Sequence, residues 1–230
     1  IIINSDLQIL EEHLFDNCTS LEQIIIPKTV TEINEYAFNE CQSLKEINIP
    51  DSVNSIKSYA FTKCTSLIKI TLPESLKEID YNAFEGCTSL QEIKIPSSIQ
   101  TISSFVFDEC SSLSSIIIPS SVTIIDSYAF YKCASLAKIS IPSSVKKIGE
   151  HAFDNCSSLK EIEISSSSLE KIEPHCFEGC ISLLIVKIPS PVKIIDSNAF
   201  YDCKALTEVV LPDSLVEIGS YTFKNCSSLS

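Results

Sequence analysis

Apolar residues recur along this chain in a fixed order. From Cys41 the order is Leu44, then Ile47 and Ile49 separated by a polar residue, then Pro50, Val53, Ile56 and Ala60-Phe61, before Cys64 opens the series again. The step Ile47-Asn48-Ile49 has the period of two that turns one face of a strand inward and the other outward. Pro50 ends the strand, because proline has no N–H to give to a neighbouring ladder. Val53 and Ile56 then return the chain across the far side. The stretch "SYAFTKC" (58–64) is too short for a stable free helix, and predicts a single helical or 3-10 turn.

The order repeats throughout. Cysteines stand at 18, 41, 64, 87, 110, 133 and 156, a step of 23 residues, and after one step of 24 at 180, 203 and 226. The unit reads C-x-S-L-x-x-I-x-I-P-x-S-V-x-x-I-x-x-x-A-F-x-x. A partial unit precedes Cys18, with Ile1, Ile3, Leu7, Leu10 and Phe15 in the apolar slots. A unit this short cannot bury its apolar face alone, but stacked copies bury each other's and line up parallel strands on one side. Ten rungs at the ~4.8 Å strand spacing make a rod or arc about 48 Å long. Residues 1–230 are therefore expected to form one solenoid domain: mostly β, a parallel sheet on one face, short helical or 3-10 turns and extended segments on the other.

The stretch "LKEINIPDSVNSIKSYAFTKC" (44–64) resembles a leucine-rich repeat, and more narrowly the treponemal-type, BspA-like class. The resemblance covers essentially all of 1–230. It implies a right-handed solenoid and a non-enzymatic protein-interaction module of a cell-surface or extracellular adhesion protein. One break in the pattern lies at "EISSSSLEKI" (163–172), where Ser165 replaces the expected proline and one extra serine lengthens the unit. A bulge between strand and return segment is the expected consequence, with a functional loop as the alternative.

The cysteines invite a chemical reading. In a stack, equivalent cysteines stand about 4.8 Å apart with parallel side chains, beyond the ~3.5–4.5 Å Cβ separation of a disulfide. They are expected to be reduced and buried, packing as small hydrophobes with a weak S–H donor. Zinc sites use close cysteine pairs, and the only one is Cys176 with Cys180; Cys176, however, fills the slot of Ala37, Ala60 and Ala83. His13, His151 and His175 share one turn position with Tyr36, Tyr59 and Tyr128; His151 and His175, on adjacent rungs, are the one pair placed to share a metal. With four glycines, at 86, 149, 179 and 219, there is no phosphate loop. Serines such as Ser20, Ser43, Ser66 and Ser89 fall in turn slots, where a hydroxyl bonds local backbone. No catalytic, cofactor or metal site is expected.

Charge narrows the partners. A net −13, from 30 acids and 17 bases, argues against nucleic acid and anionic membrane, and the longest apolar runs are far short of a membrane span. The chain has no methionine and reads as a segment of a longer protein. The sequons at Asn17, Asn155 and Asn225 fall on the turn side. Binding is expected on the outward strand positions, the variable surface of a solenoid. Charges alternate there from rung to rung, Glu46–Lys69–Glu92 and Lys138–Glu161, with Glu163 opposite Lys187, which helps fix register. Apolar Leu184, Ile185 and Val210 cluster near the C-terminal end. The candidate face is thus Lys138, Glu161, Glu163, Leu184, Ile185, Lys187 and Val210, for a host or structural protein partner. The rival reading is an intracellular scaffold or filament component, which unpaired thiols suit. Uncapped ends are expected to expose Ile1, Ile3, Leu7, Leu10 and Phe15 on one side, and Val209, Leu211, Leu215, Ile218 and Phe223 on the other, and to favour end-to-end association.

Overall fold

The computed structural model describes residue 3 and residues 6–230. The chain is a parallel β-solenoid. From the Cys41 repeat on, each repeat contributes an outward-face strand of three or four residues, from Glu46–Asn48 through Lys138–Ile141 to Glu208–Val210. It also contributes a two-residue return strand, such as Ser55–Ile56 or Lys147–Ile148. In runs of three or four strands, both sets pair parallel with their equivalents one repeat on, as in Ile47↔Ile70 and Ile56↔Ile79. Ile1 lies outside the described residues.

The alternation predicted for the strands is present: Ile47 is buried between exposed Glu46 and Asn48. Proline acts at the strand end as expected. The Ile49 N–H still donates to Thr71 O of the next rung (3.0 Å), and then Pro50 turns the chain, its carbonyl accepting from Val53 N–H (3.0 Å).

The expected helical or 3-10 turns are not there. Among the described residues no segment is helical, and 58–64 is a run of tight turns. The reason lies in where its N–H groups go. Those of Ala60, Thr62 and Cys64 bond inside the turn, to Lys57, Tyr59 and Phe61 carbonyls. Those of Tyr59, Phe61 and Lys63 point along the rod, to the carbonyls of Tyr81, Ala83 and Glu85. A helix would keep every N–H within its own segment, so stacking and helix formation compete for the same donors. The alternation requires left-handed backbone at two positions per turn, Tyr59 (φ 61°) and Lys63 (φ 55°) in this one. Such φ values are uncommon for non-glycine residues, yet they recur in every repeat, because each one aims a donor at its neighbour.

Inside, one phenylalanine per rung forms a continuous stack from Phe15 to Phe223, with centroids 5.1–5.8 Å apart. The serines that bond backbone are not Ser20, Ser43, Ser66 and Ser89. They include Ser75, Ser121, Ser144 and Ser214, whose hydroxyls donate to the Val53, Ile99, Val122 and Val192 carbonyls of the preceding rung. They tie rungs together rather than closing a local turn.

The irregular repeat departs from the others between its strand and its return segment. Its strand, Glu161–Ile164, runs into a bend at 167–168 where the regular repeats have a turn. Buried Ser166 takes over the missing proline's role: its hydroxyl donates to Val145 O (2.5 Å) and accepts from the Ser168 and Leu169 N–H groups (3.2 and 3.0 Å).

The two ends differ from expectation. Leu10 is fully buried, and Ile3, Leu7 and Phe15 are half-buried against the core. At the other end Leu211 and Ile218 are exposed, while Val209, Leu215 and Phe223 are half-buried.

Candidate functional site

All seven face residues lie together on adjacent rungs, six on strands and Leu184 just before one. Lys138 pairs in register with Glu161, Glu161 with Ile185, and Lys187 with Val210. The Lys138 ammonium meets Glu161 at 2.8 Å and holds its carboxyl below the usual range. Both side chains are well exposed, so the pair fixes orientation more than it stabilises. Leu184, Ile185 and Val210 are 46%, 50% and 40% exposed. Lys138, Glu161, Leu184 and Ile185 border a shallow depression of about 350 Å³ with Lys160 and Glu163.

Other expected charge contacts are not made. Glu46 and Glu92 flank Lys69 in register, but neither carboxylate reaches its ammonium. Glu163 and Lys187 are likewise not bonded; Glu163 instead accepts from the Ser140 and Ser165 hydroxyls (3.4 and 3.5 Å). The strands carrying them pair at Glu161↔Ile185 and no further, whereas the flanking pairs hold three or four matched residues. The gap opens a cleft of about 530 Å³ below Lys187. A second cleft of about 680 Å³ lies across the Lys69, Glu92 and Ser115 strands, where Ile117 is 79% exposed. On its own and the two adjacent rungs Ile117 is the exposed apolar residue of that face. The signal that ties it to a neighbour is its register partner Lys94.

The cysteines have architectural work. From Cys41 on, each cysteine of the 23-residue ladder donates its Sγ–H to a phenylalanine carbonyl of the preceding rung, as Cys64 to Phe38 O (3.1 Å) and Cys133 to Phe107 O (3.2 Å). That carbonyl already accepts a backbone N–H, from Cys41 and Cys110 respectively, so the thiol reaches a second lone pair that the turn leaves open. Burial pushes the Cys41 thiol up to about 12, and raises those of Cys64, Cys87 and Cys133 as well. Cys176 is fully buried in its alanine slot.

The His151 and His175 rings stack 4.4 Å apart and 7° from parallel. Each Nδ1 faces its own carboxylate, His151 that of Asp154 at 2.7 Å and His175 that of Glu178. Ring lone pairs lie in the ring planes, so two parallel rings at this spacing cannot converge on one ion ~2.0–2.1 Å from both. Among the described residues no group of three or more His, Cys, Asp or Glu is placed to hold a metal. Asp154, which the repeat pattern places on the open turn side, is in fact buried, and burial raises its carboxyl against the opposing pull of His151. No helix among the described residues is long and apolar enough to cross a membrane.

A family model, the BspA type leucine rich repeat region, matches in six copies over residues 1–114 and 100–230. Among solved structures, a leucine rich cell surface protein from Faecalibacterium prausnitzii is similar with a TM-score of 0.67 at 24% identity, over 100% of this chain and 86% of that one. A leucine-rich repeat protein from Bacteroides ovatus gives 0.54 at 27% identity, over 100% and 77%. The pneumococcal vaccine antigen PcpA gives 0.58 at 24% identity, over 90% and 61%. These likenesses establish the fold. No curated protein matches the chain.

Proposed function

The chain belongs to the BspA-type leucine-rich-repeat family, and on that premise we propose that it is a non-enzymatic protein-binding module whose strand face, around Lys138, Glu161, Glu163, Leu184, Ile185, Lys187 and Val210, receives a protein partner. The observation that carries this is the cluster of half-exposed Leu184, Ile185 and Val210 on adjacent rungs. These side chains stand on a sheet whose inward face is already filled, so nothing within the domain needs them outside. The face also mixes acids with lysines almost evenly, although the chain as a whole carries −13. A partner can therefore dock there without strong repulsion.

A cell-surface or extracellular setting is our reading for the working protein. It is supported by the family and by similar structures described as a cell surface protein and a vaccine antigen. An intracellular scaffold is the second reading, favoured by eleven free thiols, which a reducing compartment preserves. Protease treatment of intact cells separates the two: loss of the chain from unpermeabilised cells supports the surface, and full protection refutes it. The binding face is tested with Ile185→Asp and Lys138→Glu in capture of extracellular and host-surface proteins. Each should weaken capture about tenfold or more while the thermal unfolding profile holds. Lys224→Glu, on the exposed turn side, should leave capture intact; loss from that variant alone moves the site to the opposite surface.

A further inference from the structure

Two rungs carry the same tetrapeptide on the strand face, Lys94-Ile-Pro-Ser97 and Lys187-Ile-Pro-Ser190. Their surroundings differ in what the preceding rung supplies. At the first, Glu74 from the preceding rung fills the space between lysine and serine. Its Oε1 accepts from Lys94 Nζ (2.6 Å), and its Oε2 from the Ser97 N–H (3.0 Å) and the Ser97 hydroxyl (3.1 Å). These donors, the lysine foremost, hold the Glu74 carboxyl down at about 2.

At the second, the preceding rung is the irregular one, and it brings Ser166 and Ser167 to that place instead of a glutamate. Ser166 is buried and turned inward to Val145 O. Glu163 is the nearest acid along the strand, and it is bound to Ser140 and Ser165. Among the described residues no acceptor is placed on Lys187 Nζ or on the Ser190 N–H. The space is open: it is the cleft of about 530 Å³ between Glu163, Ser165 and Ser167 on one side and Lys187, Pro189 and Pro191 on the other. The donor set is thus repeated and its acceptor removed, on the rung that follows the irregular one.

We propose that this cleft is a carboxylate-binding subsite, which takes a glutamate or aspartate side chain of a protein partner as the Lys94–Ser97 site takes Glu74. The partner's carboxylate accepts from Lys187 Nζ, the Ser190 N–H and the Ser190 hydroxyl. Val210, in register with Lys187, and nearby Ile185 offer apolar surface to the residues flanking that acid. The partner segment is therefore acidic with an apolar neighbour. The proposal rests on the strand-face reading and names what that face recognises.

Amide chemical shifts of the 230-residue chain test it, with N-acetylglutamate methylamide as the probe and the glutamine analogue as the control. The Ser190 amide proton should move downfield and saturate with the glutamate probe, and stay in place with the glutamine one. Ser97 should not respond in the wild type, because Glu74 occupies its site; Glu74→Ala, which empties that site, should make it respond. Lys187→Gln should abolish the Ser190 response, and Ser167→Glu, which supplies a carboxylate from within, should weaken it at least tenfold. An unmoved Ser190, an equal response to the glutamine analogue, or a response that survives Lys187→Gln overturns the subsite. Should that happen while Ile185→Asp still abolishes partner capture, the strand face stands and only the carboxylate subsite falls.

Discussion

Phe130→Ala removes a ring from the middle of the phenylalanine stack, and its cost follows from what that ring touches. Phe130 is fully buried between Phe107 and Phe153, with centroids 5.5 and 5.2 Å away. Truncating a buried phenylalanine costs about 3–5 kcal/mol, and two broken ring pairs at ~0.5–1.5 kcal/mol each place this site in the upper part of that range. Phe223 is half-buried and stacks on one side only, against Phe200 at 5.6 Å. Phe223→Ala should therefore cost roughly half as much. Because each rung touches only its neighbours, a central loss should also uncouple the two halves. Urea unfolding followed by circular dichroism reads the stability difference, and a reduced slope for Phe130→Ala reads the diminished cooperativity. Hydrogen exchange should lose protection most at 105–155 in that variant and least near 30–60. Equal costs for the two substitutions, or protection lost evenly from end to end, would refute nearest-neighbour packing as the source of stability.

Thiol alkylation at pH 8 should be slow in the folded chain and reach about eleven groups after denaturation; raising Cys41 from 9.0 to about 12 lowers its thiolate fraction ~1000-fold. Cys110 or Cys133 reacting in the native state as fast as half-buried Cys18 would sink the thiol ladder. Asp108 keeps an unbonded, buried Oδ1, and burial lifts its carboxyl from 3.8 to about 7. The folded chain then holds a proton that the unfolded chain has already lost between those values, so stability falls as pH rises from about 4 to 7. Asp108→Asn should remove that slope and stabilise the fold at pH 8 by at most about 4 kcal/mol, less in proportion to its remaining solvent contact; identical gains at pH 5 and pH 8 would contradict it. The isolated 230-residue chain, with Leu211, Ile218 and Tyr221 exposed at one end, should associate as its concentration rises. Sedimentation showing a monomer at high concentration would reject this.

The solenoid is legible in the amino-acid order alone, because everything needed to see it is local or periodic. Ile47 and Ile49 declare a strand within three residues, Pro50 declares its end, and recurrence at the next cysteine declares that copies stack. The same recurrence marks the cysteines as architecture, since a residue needed once per rung serves the rung. What depends on a partner one rung away emerges only when the repeats are stacked. Nothing within 58–64 tells Tyr59, Phe61 and Lys63 to send their N–H groups to Tyr81, Ala83 and Glu85, and that choice is what replaces a helical turn with left-handed steps. Asp154 reads as a surface acid until His151 and the next turn enclose it. The two Lys-Ile-Pro-Ser segments are identical as text. They become one filled site and one open one through a residue on the preceding rung, Glu74 for the first and a serine for the second. A side chain's local sequence sets its direction, but at these sites its hydrogen-bond partner is set by stacking, which brings together residues twenty or more positions apart.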